Sequence, residues 1–195
     1  MPLNQVRSQG FTLPEVLMAI SIGSMLMLSA AQLYPMFRHR SQSLGRHFQL
    51  DQLLRGTAFN IEKDLRRAGF CNGECKGKAV MIGNSDGEAA NSCVIIIYDL
   101  NRNGRWDPPG SIEPDYFGYR LRDRGIETQR GTDNCSEGGW EKLLDPSEVQ
   151  VTGFKITDTV SPKNGHLYSI SLSARWRDAL TIHRHIEKRV AGYQQ

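Results

Sequence analysis

After a short polar stretch, the chain begins with a long run of apolar residues. The run from Val16 to Phe37 holds 22 residues and contains no Asp, Glu, Lys or Arg. A helix of that length is long enough to cross the roughly 30 Å hydrocarbon core of a bilayer. One carboxylate, Glu15, lies directly before the run. Because a charge is costly in lipid, the pattern predicts a transmembrane helix with a functional acidic residue at its start.

Beyond Phe37 the pattern becomes amphipathic and keeps a helical period. Charged residues occupy much of the surface between the apolar positions. Gly69 is the first strong stop signal, since glycine commonly follows the last helical residue. The sequence therefore predicts one near-continuous helix from about Phe11 to Ala68. The apolar positions of its second half are Leu44, Phe48, Leu54, Ala58, Ile61 and Leu65.

After Cys71 the period changes to two and the elements become shorter, with Gly, Asn, Asp and Pro between them. This pattern predicts an α+β fold in which the long N-terminal helix, transmembrane in its first half and amphipathic in its second, packs on an antiparallel β-sheet domain. The predicted strands are Ala79–Ile82, Val94–Leu100, Tyr116–Arg122, Ile126–Gln129, Val149–Thr157, Leu167–Trp176 and Thr181–Val190.

Four cysteines follow the apolar segment. An even number in a domain beyond a membrane favours two disulfides, but the spacing leaves all three pairings open. A zinc site would need two close pairs of cysteines, and only one pair is close in the sequence. Disulfides are therefore the favoured interpretation, provided that the domain is exported. The four candidates are Cys71, Cys75, Cys93 and Cys135.

Two ordinary interpretations compete for the N-terminus. Residues 1–31 have a possible signal-peptidase site at Ser29-Ala30-Ala31, but a single basic residue and an acid beside the apolar region are atypical of a signal peptide. A plain membrane anchor is the other interpretation. Its orientation is left open by the charges, since Arg7 precedes the span while Arg38 and Arg40 follow it.

The residues Gly10-Phe11-Thr12-Leu13-Pro14-Glu15 resemble the processing site of type IV pilins and type II secretion pseudopilins. The resemblance implies that a prepilin peptidase cuts between Gly10 and Phe11 and that the new amino group of Phe11 is methylated. It also implies that Glu15 directs assembly by pairing with the Phe11 amine of a neighbouring subunit. Such a pairing would make a charge buried among apolar helices tolerable. Pro14 departs from the usual aliphatic residue but lies in the first helical turn, where proline costs little.

A second resemblance lies at the predicted end of the helix. The string DLRRAGFC, residues 64–71, is similar to the helix end of the J-type and W-type minor pilins. Together with the processing site, it implies four segments: a leader removed by the peptidase (1–10), a transmembrane half-helix (11–37), an amphipathic half-helix (38–69) and a periplasmic β-rich domain (70–195).

One loop resembles the first half of a calcium-binding loop. Its oxygen side chains alternate and are followed by Gly104, as in the D-x-N-x-N-G pattern. The position where an EF-hand has glutamate is Gly110. A polar hairpin turn is therefore the alternative, and calcium is an optional ligand rather than a required cofactor. The candidate ligands are Asp99, Asn101, Asn103 and Asp107.

The remaining chemistry does not favour an enzyme. His183 and His185 alternate along a predicted strand, but no third metal ligand is suggested nearby, and the chain has none of the common nucleophile or phosphate-binding motifs. A net charge of +3 is too mild to favour nucleic acid as a partner. No catalytic residue is assigned.

The resemblance implies a structural role as a minor pilin or pseudopilin in an initiating or tip complex of a type IV pilus or a type II secretion pseudopilus. The implied partners are other minor pilins, the major pilin, prepilin peptidase, the inner-membrane assembly platform and membrane lipid. The implied location is the inner membrane, with the C-terminal domain in the periplasm and later in the fibre. The alternatives are a tethered receptor, adhesin or DNA-binding tip that uses basic residues near 175–189, and a metal-dependent periplasmic enzyme.

Overall fold

A computed structural model describes residues 10–160 and 165–192. The predicted leader therefore lies outside the described residues except for Gly10. Helix α1 spans Leu13–Arg67, 55 residues, which confirms the prediction of one long N-terminal helix. The chain divides into two compact units, Met1–Gly45 and Arg46–Gln195.

The described part of the first unit, residues 10–45, contains the apolar half of α1. Its large apolar side chains are exposed within this chain, including Leu26 and Phe37. The serines of this half do not leave unpaired hydroxyls, because each donates to a backbone carbonyl of the preceding turn. Ser21 Oγ donates to the Met18 oxygen at 2.9 Å, and Ser29 Oγ donates to the Met25 oxygen at 2.9 Å. Such internal bonds make a hydroxyl compatible with an apolar surrounding.

The described residues of the second unit form two antiparallel sheets. The first has the order β1-β2-β3-β4-β5 and the second has the order β6-β7-β8. The prediction of an α+β fold with an antiparallel β domain is confirmed. The strands are β1 (Val80–Gly83), β2 (Cys93–Ile97), β3 (Tyr116–Arg122), β4 (Gly125–Arg130), β5 (Glu141–Lys142), β6 (Val149–Val160), β7 (His166–Trp176) and β8 (His183–Ala191).

The main core lies where the amphipathic residues of α1 meet both sheets. The helix contributes a stripe at helical spacing, including Leu54, Ile61 and Leu65, all fully buried. The sheets contribute alternate residues to this core, such as Ile96 of β2 and Ile170 of β7. Alternation on a strand turns every second side chain to one face, so period-two strands and a period-3.6 helix bury one common surface.

Strand β2 is buried on both faces. Its even-numbered residues join the main core, while Cys93, Ile95 and Ile97 form a second, smaller cluster on the other face. That cluster is covered by Trp106 and Trp140 from the loops that flank β3 and β4. The sequence of β2 is therefore apolar throughout, and its continuous run gave no alternation from which the two faces could be told apart.

Several predicted strand ends differ from the structure by one to three residues, and one strand was missed. β2 ends at Ile97 rather than Leu100, because Asp99 turns into the following loop and accepts backbone hydrogen bonds there. β8 begins at His183 rather than Thr181. β5 is only 2 residues long and both are charged, so it carries no alternating pattern that a sequence can reveal.

Candidate functional site: the N-terminal helix and its supporting domain

The predicted processing residues Gly10 and Phe11 lie just before α1, and the predicted assembly residue Glu15 lies in its first turn. The backbone oxygen of Thr12 accepts hydrogen bonds from the N–H groups of Glu15 at 3.0 Å and Val16 at 3.2 Å. Glu15 Oε2 lies 3.5 Å from the Thr12 nitrogen, which is a long contact of the kind that caps a helix start. Gly10, Phe11 and Glu15 are all exposed. The carboxylate is therefore placed at the helix start with most of its hydrogen-bonding capacity unused within the described residues.

The apolar half of α1 satisfies the requirements for a membrane span. Among the described residues, α1 is the helix long and apolar enough to cross a bilayer, with a mean hydropathy of 1.8 in its most apolar window. None of that window is buried within the chain itself, so its apolar surface is not part of the domain core. An exposed apolar helix of this length needs lipid or another protein around it. The first unit is therefore built as a membrane anchor.

The cysteines form two disulfides, which decides among the pairings that the sequence left open. Cys71 is bonded to Cys75, and Cys93 to Cys135. All four sulfurs are used, so no thiolate among them is available to a zinc ion. The first bond closes a short loop directly after α1. The second joins β2 to the long loop between β4 and β5, which no local signal in the sequence connects.

The loop proposed for calcium is held together by its own side chains. Asp99 is buried, and its carboxylate accepts the backbone N–H groups of Asn72, Asn103 and Gly104 at 3.0, 3.0 and 2.9 Å. Burial raises the pKa of Asp99, but these backbone donors outweigh burial, and the net pKa lies below the usual range. Asp107 accepts hydrogen bonds from the side chains of Asn103, Arg105 and Asn101, and they hold its pKa below the usual range.

A cation in this loop would have to displace several of those hydrogen bonds. Within residues 10–160 and 165–192, no group of three or more His, Cys, Asp or Glu side chains is arranged to hold a metal ion. That search does not cover amide and backbone oxygens, which calcium also uses. Calcium binding by Asp99, Asn101, Asn103 and Asp107 therefore stays a prediction.

The two histidines of β8 are exposed and lie on the same face of the second sheet. His185 Nδ1 is 2.8 Å from Ser173 Oγ, and His183 Nδ1 is 3.3 Å from the backbone oxygen of Thr181. Their neighbours on this face include hydroxyl groups, the carboxylate of Glu187 and the guanidinium of Arg175, which pairs with His183 across the strands. These contacts describe a polar, solvated strand face.

A buried carboxylate that the sequence analysis did not single out joins α1 to the first sheet. Asp64 is 3% exposed, and its two carboxylate oxygens accept the hydroxyl groups of Tyr98 at 3.0 Å and Tyr119 at 2.6 Å. Burial, and then the charge of Asp64, raise the pKa of both tyrosines. A signal was present, since Asp64 falls three residues after the apolar Ile61 on the buried stripe of the helix.

Replacing Tyr119 with Phe should destabilise the protein by about 1.5–3 kcal/mol, because it removes a hydrogen bond to a buried charged group. Denaturant unfolding of the full-length chain in detergent, followed by tryptophan fluorescence, measures this cost. Replacing the exposed Tyr34 with Phe is the matched control, and its effect should be close to zero. Equal costs for the two variants would contradict the structural role of the Asp64 cluster.

The same cluster predicts a loss of stability in alkali. Tyr98 and Tyr119 have pKa values above the ordinary value of about 10 in the folded state, so folding favours their neutral forms. Their contribution is therefore fully present below pH ~10 and is lost as the pH rises through the raised values. The free energy of unfolding should fall above pH ~10, and it should fall less steeply in the Tyr119→Phe variant. Parallel pH profiles for the two proteins would exclude this linkage.

The loop between β4 and β5, which covers the second cluster with Trp140, is positioned by a buried arginine. Arg120 of β3 forms a salt bridge with Glu127 of β4, 2.9 Å between Nη2 and Oε2, and both side chains are almost wholly enclosed. Its guanidinium also donates to the backbone oxygens of Cys135 and Glu137 and lies 4.3 Å from the ring centroid of Trp140. The planar, multidentate guanidinium satisfies several partners at once, which makes its burial tolerable.

An apolar, membrane-length N-terminal helix that continues into a disulfide-bonded antiparallel β domain defines the class of pilin-like proteins. The model of the prepilin peptidase-dependent protein B family matches residues 43–192, and the model of the prokaryotic N-terminal methylation motif matches residues 6–31. The chain belongs to the prepilin peptidase-dependent protein B family and carries the N-terminal methylation motif. This confirms the resemblance to pilin-like proteins that the processing site indicated.

Two relatives show how far the similarity extends. The chain is 36% identical to "Prepilin peptidase-dependent protein B" of Escherichia coli (strain K12), over 77% of this chain and 78% of that protein. It is 28% identical to an uncharacterized protein of Haemophilus influenzae, over 54% of this chain and 64% of that protein. No solved structure matches the chain.

Proposed function

We propose that this protein is a minor pilin or pseudopilin that enters an initiating or tip complex through its N-terminal helix. The observation that carries the proposal is the position of Gly10-Phe11 and Glu15 directly before the uncharged, membrane-length segment of α1 from Val16 to Phe37. Its role in this complex is structural rather than catalytic. The domain from residue 46 onward serves as the part of the subunit that is carried by the helix and exposed on the assembly.

Cleavage after Gly10 would convert the backbone nitrogen of Phe11 into an amine, which methylation leaves positively charged at neutral pH. A positive charge at a helix N-terminus is unfavourable because it meets the positive end of the helix dipole. A carboxylate from a neighbouring helix removes that cost and gains a charge-assisted hydrogen bond. Among the described residues, Glu15 contacts only the Thr12 N–H through its side chain, so its carboxylate is available for such a partner.

This pairing would fix the axial position of one subunit against the next. Packing of apolar helices supplies affinity but permits sliding, since apolar contacts are not directional. A charge pair in an apolar surrounding is satisfied at one register only, because any other register leaves both charges unpaired. The partners we propose are other minor pilins, the major pilin, prepilin peptidase and the inner-membrane assembly platform. The β domain lies in the periplasm in this proposal.

The proposal is tested by the mass of the N-terminal peptide of the protein from cells with and without prepilin peptidase. We expect a mature chain that starts at methylated Phe11 only when the peptidase is present, and an uncut chain when it is absent. A start at Gln32 would instead identify a secreted domain and remove Glu15 from the mechanism. An uncut chain in both strains would leave a plain membrane anchor and contradict the proposal.

A further inference from the structure

A cavity lies in the second unit where the hairpin of β3 and β4 meets strands β6 and β7. Its volume is about 500 Å³, which lies in the range of small-molecule binding sites. The apolar side chains of Leu121 and Val151 line it, and both belong to the main core. Its remaining lining residues are polar or charged. The cavity therefore combines an apolar floor with a polar rim.

Arg175, near the end of β7, brings a guanidinium with unused donors to the cavity. Its Nε is buried and has no hydrogen-bond partner among the described residues, and its Nη2 donates to Gln150 Oε1 at a long 3.3 Å. The buried Arg120 differs, because Glu127 and two backbone oxygens satisfy its guanidinium. A buried donor on a charged group is costly when it lacks a partner. The unpaired Nε therefore indicates a partner that the described chain does not supply.

A second guanidinium reaches the cavity from the turn between β3 and β4. Asp123 and Arg124 are the central residues of this two-residue turn, and their φ angles are 48° and 63°. Glycine is the favoured residue at the second central position, because other residues rarely adopt positive φ. The backbone oxygen of Arg124 accepts the Val151 N–H at 2.8 Å, which fixes the turn against β6. The turn thus places a cation beside the cavity where glycine would fit the backbone better.

Strand β6 has a bulge at the same place. Val151 faces Ala174 and Gly153 faces Ser173, so Thr152 has no residue opposite it in β7. Bulges are common beside binding sites, where they change the direction of a side chain. Thr152 is exposed and lines the cavity. Its hydroxyl is a further hydrogen-bond donor on the rim that carries Arg124 and Arg175.

The two acidic residues of the lining do not neutralise these cations. The side chain of Asp123 is 95% exposed, so its carboxylate lies in solvent. Glu88 Oε1 accepts the backbone N–H of Asp123 at 3.0 Å. Within residues 10–160 and 165–192, neither Arg124 nor Arg175 forms an ion pair.

The charges beside the cavity favour a ligand with a single negative charge. Two guanidinium groups and the carboxylate of Glu88 leave a net charge of +1. A carboxylate neutralises that charge, whereas a dianion such as phosphate would leave an excess negative charge close to Glu88. The planar guanidinium also matches a carboxylate, since two parallel N–H donors can reach its two oxygens.

From these observations we propose that the cavity binds the carboxylate of a small ligand. Arg124 and Arg175 hold the carboxylate, Thr152 supplies a further hydrogen bond, and the apolar part of the ligand lies against Leu121 and Val151. A free carboxylic acid and the carboxyl terminus of a short peptide share this chemistry. The site gives the β domain a binding function that goes beyond assembly through the N-terminal helix.

Titration calorimetry of the full-length chain in an uncharged detergent tests the ligand class. N-acetyl-dialanine with a free carboxylate should bind with a Kd below about 1 mM, and its C-terminal amide should bind about tenfold more weakly or worse. Acetate that binds as tightly as the dipeptide would support a free carboxylic acid, and weaker binding of acetate would support a peptide terminus. Equal binding of acid and amide, tighter binding of inorganic phosphate, or no binding of the dipeptide would each overturn the proposal.

Two arginine variants separate binding from folding. Arg175→Met removes the buried unpaired donor, so it should lower the affinity for the dipeptide about tenfold without lowering the midpoint of thermal unfolding. Arg124→Gly suits the turn, so it should raise that midpoint and also lower the affinity. Arg189→Gln is the control, because Arg189 is exposed on β8 and does not line the cavity; its affinity should be unchanged. Unchanged affinity in both Arg175→Met and Arg124→Gly would overturn the proposal.

These outcomes are independent of the test of the proposed function. A mature start at Phe11 without dipeptide binding would retain the minor-pilin function and reject the carboxylate site. An uncut chain whose dipeptide binding depends on Arg175 would reject that function and retain the site.

Discussion

Replacing Glu15 with Ala should abolish incorporation of the protein into a fibre or pseudopilus while leaving its domain folded. The carboxylate is the only charge within the segment from Gly10 to Phe37. Without it, the amine of a neighbouring Phe11 would be left unpaired among apolar helices. Leaving one member of a buried pair without its partner costs about 3–5 kcal/mol, which is more than two orders of magnitude in an association constant. The measurement is the amount of protein in sheared or purified fibres relative to the membrane fraction.

Two control variants separate the effect of the Glu15 charge from the effects of side-chain size and of folding. Glu15→Gln keeps the size of the side chain and should also fail to assemble, because a neutral amide does not compensate the amine. Ser21→Ala lies on the same half-helix and removes only an internal hydrogen bond, so it should assemble normally. The Cys93–Cys135 bond should form in all three variants. Normal fibre levels for Glu15→Ala would exclude the assembly role that we propose.

Removing the Cys93–Cys135 disulfide should cost more stability than removing Cys71–Cys75. The first bond joins residues 42 apart and the second joins residues 4 apart. Because the loss of chain entropy grows with the logarithm of the loop length, the expected costs are about 4 and about 2 kcal/mol. The first cost is further increased because Cys93 is fully buried and packs in the second cluster with Ile95 and Ile97.

The matched variants are two double substitutions, Cys93→Ala with Cys135→Ala and Cys71→Ala with Cys75→Ala. Urea unfolding of the full-length chain in detergent gives both free energies on one scale. The backbone oxygen of Cys135 accepts a hydrogen bond from Arg120 at 2.7 Å, which holds part of the loop without the disulfide. We therefore expect a destabilised but folded domain. Equal costs for the two double variants would contradict the loop-length argument.

The predictions that rested on local pattern were the reliable ones. The long helix, the class of fold and seven of the eight strands in the described residues follow from side-chain period and turn residues, which are properties of neighbouring positions. The pilin-like class follows from six consecutive residues, Gly10 to Glu15, in front of an uncharged run. The motif is a run of consecutive residues, so no tertiary information is needed to recognise it.

Contacts between residues that are far apart in the sequence could not be predicted in the same way. The sequence marked Asp64 only as part of a basic helix end, whereas its function in the fold depends on Tyr98 and Tyr119, 34 and 55 positions away. A carboxylate on a buried helical stripe predicts that a hydrogen-bonding partner exists. Which residue is that partner depends on how the sheet packs against the helix. The division of the strands between two sheets was likewise set by packing on α1.

The sequence by itself therefore determined the anchor, its processing motif, the order of the elements and the number of possible disulfide pairings. Only the tertiary structure decided which cysteines pair, which charges are buried and which face of α1 remains exposed. The physical reason is that helical and strand periods are set by contacts between residues a few positions apart. Pairing, burial and exposure instead depend on which surfaces meet after the chain has folded.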